Sequence, residues 1–278
     1  MTSKSPYRSF PTPQQHGAWA MFLLPAVITV VVLEAWYWSS LFLIISFILI
    51  FLAHRPALRL LRRMKNHQIL DRQSLLWVIL FAGSGISLAC FLFISHRQWS
   101  VFIFGGLVAM TMFLHLRLTI NREHMTIPGE IVGVVGLTAS APVLYLFQFH
   151  SLDTRGWLLW MMSFLYFTGS IFYIKLKVRY QTGRKEPDIM GKLWIGLPAI
   201  MFICTVLILI GVLVFSRGYS WLFLLAYLPS LVKIITGVFH WQSRDSLKIT
   251  RYGFNEILYA IFFAFLMIWG FKNTLSED

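Results

Sequence analysis

Apolar residues in this chain fall into nine long blocks, each separated from the next by a short polar connector: Gly17–Ala35, Ser39–Ala53, Leu75–Ser95, Val101–Leu116, Ile131–Phe149, Trp157–Ile174, Leu193–Phe215, Trp221–Phe239 and Ile257–Phe271. A helix needs roughly 20 residues to cross a ~30 Å hydrocarbon slab. Most blocks reach that length, and the second, fourth and ninth reach it by borrowing flanking residues. Backbone groups in lipid must be satisfied within their own segment, so the pattern predicts helices. The reading is an all-α polytopic membrane bundle of about nine transmembrane helices. Residues 1–278 form one multi-pass transmembrane domain.

Composition agrees with that solvent. Hydrophobic residues make up 58% of the chain and charged residues 13%, with a mean hydropathy of +0.70; a soluble domain carries about twice that charged fraction. Cys90 and Cys204 sit inside apolar blocks, without the spacing of a metal site. The first residues lack a small-residue cleavage pattern after a brief apolar stretch and read as a retained start.

Charge then orients the chain. The excess of 24 Lys+Arg over 11 Asp+Glu gives a net charge of +13, yet no nucleic-acid-binding module is present. With the amino terminus inside, nineteen basic residues occupy inner segments, from Lys4 and Arg8 to Arg244, Lys248 and Arg251. Arg97, Arg155, Arg217 and Lys272 lie outside, and Lys233 lies within a helix. Such asymmetry in short loops predicts a cytoplasmic amino terminus and a cell-membrane location. Removing or adding one helix would invert the later loops and destroy it. Trp36, Tyr37, Trp38, Trp99, Trp157, Tyr219 and Trp221 mark the outer ends as interfacial anchors.

Pro25, Pro142, Pro198 and Pro229 permit kinks within helices. Gly85, Gly105, Gly133, Gly136, Gly169 and Ser170 permit close contact between them. A compact bundle and a substrate cavity between kinked helices both fit. The first, fifth and ninth helices each open on a polar cluster, a hint of a duplicated four-helix unit with one helix added.

Ionisable groups inside membrane helices are costly and mark candidate sites. Here they are His16, His115, Arg117, Glu130, Lys175, Lys233, His240 and Glu256. Lys233 lies about seven residues inside its helix, roughly 10 Å deep, so it requires an acid or a wet cavity; Glu130 and Glu256 are the candidate partners. A structural ion pair and a ligand-holding lysine stay open as alternatives. Arg59, Arg62 and Arg63 fall at spacings of three and four on an expected amphipathic helix after the second block. Lys175, Lys177, Arg179, Arg184 and Lys185 form a second basic cluster. Both suit anionic lipid headgroups or a phosphate-bearing ligand. No paired aspartates, zinc-spaced histidines, Walker sequence or Ser-His-Asp set occurs, so no cofactor or metal is expected.

The run Gln14-Gln15-His16-Gly17-Ala18-Trp19-Ala20 followed by Pro25 resembles the opening of the YwiC-like family of bacterial membrane proteins. Glu130-Ile131-Val132-Gly133 with Ala141-Pro142, Tyr173 with Lys177-Val178-Arg179, and Asn255-Glu256-Ile257 resemble its later blocks. More distantly, nine helices with an inner amino terminus and long loops after the second and sixth resemble UbiA-type intramembrane prenyltransferases. Where those carry metal-binding aspartates, this chain reads His54-Arg55-Pro56-Ala57-Leu58-Arg59 and Lys175-Leu176-Lys177-Val178-Arg179. The resemblance therefore implies the architecture and not metal-dependent prenyl transfer. The leading expectation is an amphipathic or anionic, isoprenoid-like or phosphate-bearing ligand taken from the cytoplasmic leaflet. Arg59, Arg117, Lys175, Arg179 and Lys233 would hold its charge, and His16, Trp19, Glu130 and Glu256 would line or brace the cavity. Metal-independent group transfer and small-molecule transport are the alternatives.

Overall fold

The computed structural model describes residues 16–121, 123, 126–182, 186–240 and 249–275, with the side chains of all but 16, 180–182, 249–254 and 275. Each apolar block becomes a helix, because no other conformation satisfies its backbone away from water. Nine apolar helices result among the described residues: α1 (His16–Val32), α2 (Trp38–Lys65), α3 (Arg72–Ser95), α4 (Trp99–Ile120), α5 (Ile127–Phe149), α6 (Thr154–Thr182), α7 (Ile189–Arg217), α8 (Leu222–Phe239) and α9 (Ile249–Leu275). Eight are long and apolar enough to span a membrane, and α1 is a shorter apolar helix. The chain is a polytopic all-α membrane bundle.

Two helices outrun the apolar blocks that announced them. α2 continues without interruption through Arg59, Arg62 and Arg63 to Lys65, so these residues do not sit on a separate amphipathic helix. Leu, Arg, Met and Lys are good helix formers, and nothing in that run stops the helix once it leaves the slab. α6 likewise carries Lys175, Lys177 and Arg179 on its last turns. The segments expected as long basic loops are thus largely helical extensions.

Irregularities have local causes. α3 contains a π-helical turn at Ile79–Gly83, where the Ser84 hydroxyl donates to the Leu80 and Phe81 carbonyls. One residue later α3 meets α2 so closely that a Cβ on Gly85 would lie 2.8 Å from the Ser46 carbonyl oxygen; the Ser46 hydroxyl instead donates to the Gly85 carbonyl at 2.7 Å. α5 is broken at Ala139, three residues before Pro142. The break leaves the Ser140 hydroxyl donating to the Phe22 carbonyl of α1 at 2.9 Å.

Packing falls into two groups. Leu43, Ala89, Leu92, Phe93, Val101 and Phe147 centre the α2–α5 group, while Tyr166, Ile203, Phe223, Tyr227, Phe263 and Met267 centre the α6–α9 group. Both groups draw on α1 and α5, through Ala26 and Val143 in one and Ile28 and Tyr145 in the other. Outward faces stay apolar, with Ile103, Met110, Ile208 and Phe215 exposed, as lipid requires.

Polar contacts tie like ends together. At one end Lys65 Nζ donates to Asn121 Oδ1 at 2.9 Å, Lys175 pairs with Glu130, and Lys177 Nζ donates to the His240 carbonyl at 3.2 Å. At the other, Lys272 pairs with Glu34, and Gln98 Nε2 donates to the Phe147 carbonyl at 2.9 Å. The described basic residues gather at the first end, apart from Lys233 within α8 and from Arg97, Arg155, Arg217 and Lys272, which occupy the second.

Candidate functional site

Three helices converge on Lys233, and helical spacing explains why these side chains meet. α6 presents Tyr166, Ser170, Tyr173 and Lys177 along one face; α8 presents Ser230, Lys233 and Gly237; α9 presents Glu256, Tyr259 and Phe263. Positions three and four apart lie one above another on a helix. α8 approaches α6 closely at Gly237, where a Cβ would lie 2.9 Å from the Tyr173 ring. A larger residue there would push Lys233 away from its partners.

The Lys233 ammonium is only 5% exposed, and its charge is met directly. It donates to Glu256 Oε1 at 2.9 Å and Oε2 at 2.7 Å, and to Ser170 Oγ at 3.2 Å. The Tyr173, Tyr166 and Tyr259 rings surround it, with centroids 5.2, 5.8 and 5.8 Å from Nζ. Phe263 stacks on Tyr166 at 4.0 Å, which holds that ring in place. The group combines a bidentate charge-assisted pair with aromatic faces, an arrangement that stabilises an ammonium out of water.

Beside the pair lies a cavity of about 370 Å³. Tyr173, Lys233, Thr236, Asn255, Glu256 and Tyr259 give it a polar wall, and Leu228, Pro229 and Val232 an apolar one. Leu228, Val232 and Tyr259 are exposed on the outside of the bundle, so the cavity opens sideways between α8 and α9. Behind it, the hydroxyls of Tyr166 and Ser230 are buried without a hydrogen-bond partner among the described residues.

The other candidates scatter. Glu130, the second acid proposed for Lys233, pairs instead with Lys175 at 2.9 Å, and both are partly exposed. Arg59 on α2 and Arg117 on α4 are exposed at the basic end of the other helix group, and Arg179 is exposed near the end of α6. Five cations closing on one anion is therefore not the arrangement found: Lys233 is committed to Glu256 and Lys175 to Glu130, Arg59 and Arg117 are exposed on α2 and α4, and Arg179 lines a small pocket with Lys175. Trp19 packs edge-on against Phe51, with centroids 4.9 Å apart, as part of the α1–α2 contact. The side chain of His16 lies outside the described residues. His115 of α4 stacks on His54 of α2 at 5.8 Å, with Gly133 of α5 leaving room for its ring.

Ser170 and the three tyrosines were not legible as site residues. Tyrosines within apolar runs look like core; Tyr173 stood out only as part of a family-like block, and the spacing of Tyr166, Ser170 and Tyr173 on one face could have suggested more. Among the described residues, no group of three or more His, Cys, Asp or Glu side chains is placed to hold a metal ion.

Comparison with known proteins places the sequence. The family model described as "YwiC-like protein" matches residues 12–145. "Uncharacterized protein YwiC" of Bacillus subtilis (strain 168) is 25% identical over 256 residues, covering 92% of this chain and 95% of that one. No solved structure matches, and the expected likeness to UbiA-type enzymes is not shown. The Lys233–Glu256 group lies outside the stretch that the family model matches.

Proposed function

For this YwiC-like multi-pass membrane protein, we propose that the Lys233–Glu256 cavity binds a membrane-resident amphiphile. The ligand enters sideways from the lipid, with its polar head against Glu256 and Lys233 and its chain along the exposed α8–α9 face. The basic end, at which this cavity lies, faces the cytoplasm of a bacterial cell. One observation carries the reading: a bidentate ion pair forms part of the wall of a cavity whose mouth lies among the exposed apolar residues Leu228 and Val232. A purely structural pair gains nothing from such an opening, since the desolvation cost is best offset in a closed, fully packed site. The volume is at the small end of ligand pockets and suits a head with the first part of a chain. Leu228, Val232, Leu258 and Phe262 supply exposed apolar surface for the remainder. The exposed Arg59, Arg62, Arg117 and Arg179 then meet anionic headgroups at the interface.

Native mass spectrometry of the detergent-extracted protein tests this reading. Val232→Trp fills the cavity mouth without touching either charge, and Ile103→Trp adds the same bulk on the outer face of α4. Loss of a co-purifying amphiphile in the first variant alone supports the site. Equal retention in both refutes it.

A further inference from the structure

Resting on that reading, we infer that the head accepted at this site is an uncharged hydroxyl, so that the ligand class is a neutral lipid alcohol and not a phosphate-bearing lipid. An ammonium has three N–H donors and no acceptor. All three of Lys233 are spent, on Glu256 Oε1, Glu256 Oε2 and Ser170 Oγ. A phosphate is chiefly an acceptor, so to reach the ammonium it must break one of these bonds, and it must then sit beside the Glu256 carboxylate in a poorly screened site. A hydroxyl makes no such demand. A carboxylate has about four lone-pair positions, of which Lys233 uses two, and Glu256 lines the cavity directly. The hydroxyl donates a hydrogen bond to a Glu256 carboxylate oxygen. Its own oxygen can accept a hydrogen bond from Asn255, which also lines the cavity.

Net charge selects in the same direction. Lys233 and Glu256 cancel, so the pair adds no net charge to the cavity wall, and an uncharged head leaves that balance intact. An ammonium head could reach the same Glu256 lone pairs and the Tyr173 and Tyr259 faces. It would leave one uncompensated charge next to Lys233 at membrane depth, where unpaired charge is strongly unfavourable. Hydroxyl, ammonium and phosphate are thus ranked by the pair itself.

The test uses the full chain in nanodiscs, a diazirine-bearing fatty alcohol as photoprobe, and dodecanol, dodecylamine and dodecyl phosphate as tail-matched competitors. The expected result is displacement by dodecanol at a concentration at least tenfold below that needed for either charged competitor. Glu256→Gln frees Lys233 for an anion and is expected to reverse the order, with dodecyl phosphate displacing best. Should that variant not fold, the wild-type ranking decides alone. Dodecyl phosphate matching or surpassing dodecanol on the wild type overturns the inference about the head while leaving the site standing. Photolabelling unaffected by Val232→Trp overturns the site itself.

Discussion

Replacing Lys233 by Met removes the ammonium at nearly constant volume and leaves the Glu256 carboxylate without its partner. Removing one member of a buried pair costs about 3–5 kcal/mol, because the survivor is a desolvated, uncompensated charge. Glu256 is 13% exposed against 5% for Lys233, so the survivor is the less deeply buried partner and the low end applies, about 3 kcal/mol. That is a more than hundredfold change in the folding equilibrium. Glu256→Gln strands the more deeply buried partner, so its loss should equal or exceed that of Lys233→Met. The double variant Lys233→Met/Glu256→Leu leaves no charge and should return to within about 1 kcal/mol of wild type, since apolar replacement of a buried pair is often neutral. Unfolding in mixed micelles, followed by circular dichroism across the four proteins of the cycle, measures this. A coupling energy above about 2 kcal/mol is expected for residues in direct contact. Additive losses in the double variant would refute the claim that these two charges meet.

Further outcomes follow from other contacts. Gly85→Leu should separate α2 from α3, because the obstacle is the Ser46 backbone oxygen 2.8 Å from the new Cβ and not a side chain that can turn; a loss of about 1–3 kcal/mol is expected, visible in the same unfolding assay. Ser140→Ala removes the donor to the Phe22 carbonyl across the break in α5 and should cost about 1 kcal/mol. Outside the membrane, burial pushes the Asp153 carboxyl up, but hydrogen bonds from Tyr145 and the Gly156 N–H, with the Arg155 charge, hold it below the usual carboxylate range. A depressed folded value means stability that is present above the ordinary carboxylate range and lost as pH falls through the folded one. Asp153→Asn should therefore flatten the acid limb of stability against pH, and an unchanged limb would count against this contact. Sidedness is checked by replacing Cys90 and Cys204 and placing a cysteine at Gln68 or Ser151. An impermeant maleimide should label only the Ser151 position in intact cells.

The nine helices were legible because hydrocarbon imposes a simple rule, a long apolar run for each crossing. Their basic ends were not, since the run from Arg59 to Lys65 is as good a helix former outside the slab as inside it, and hydropathy registers only the slab. The demand Lys233 makes was also legible, because an ammonium at that depth requires an acid or a wet cavity. Which acid answers it depends on helix arrangement: α9 lies beside α8 and brings Glu256 in, while Glu130 on α5 meets Lys175 of α6. Assigning Arg59, Arg117, Lys175, Arg179 and Lys233 to one anion site overlooked that helices project side chains in all directions. Arg59 and Arg117 share an end of the bundle with Lys233 without sharing its cavity.

Mapping the photoadducts of a diazirine-bearing fatty alcohol by peptide mass spectrometry tests the central claim most directly. Adducts should concentrate in residues 228–236 and 255–259, the two walls of the cavity, and should disappear when unlabelled alcohol is added in excess. Adducts spread along the outer faces of α4 and α7 in proportion to their lipid exposure, and insensitive to competitor, would contradict a binding site between α8 and α9.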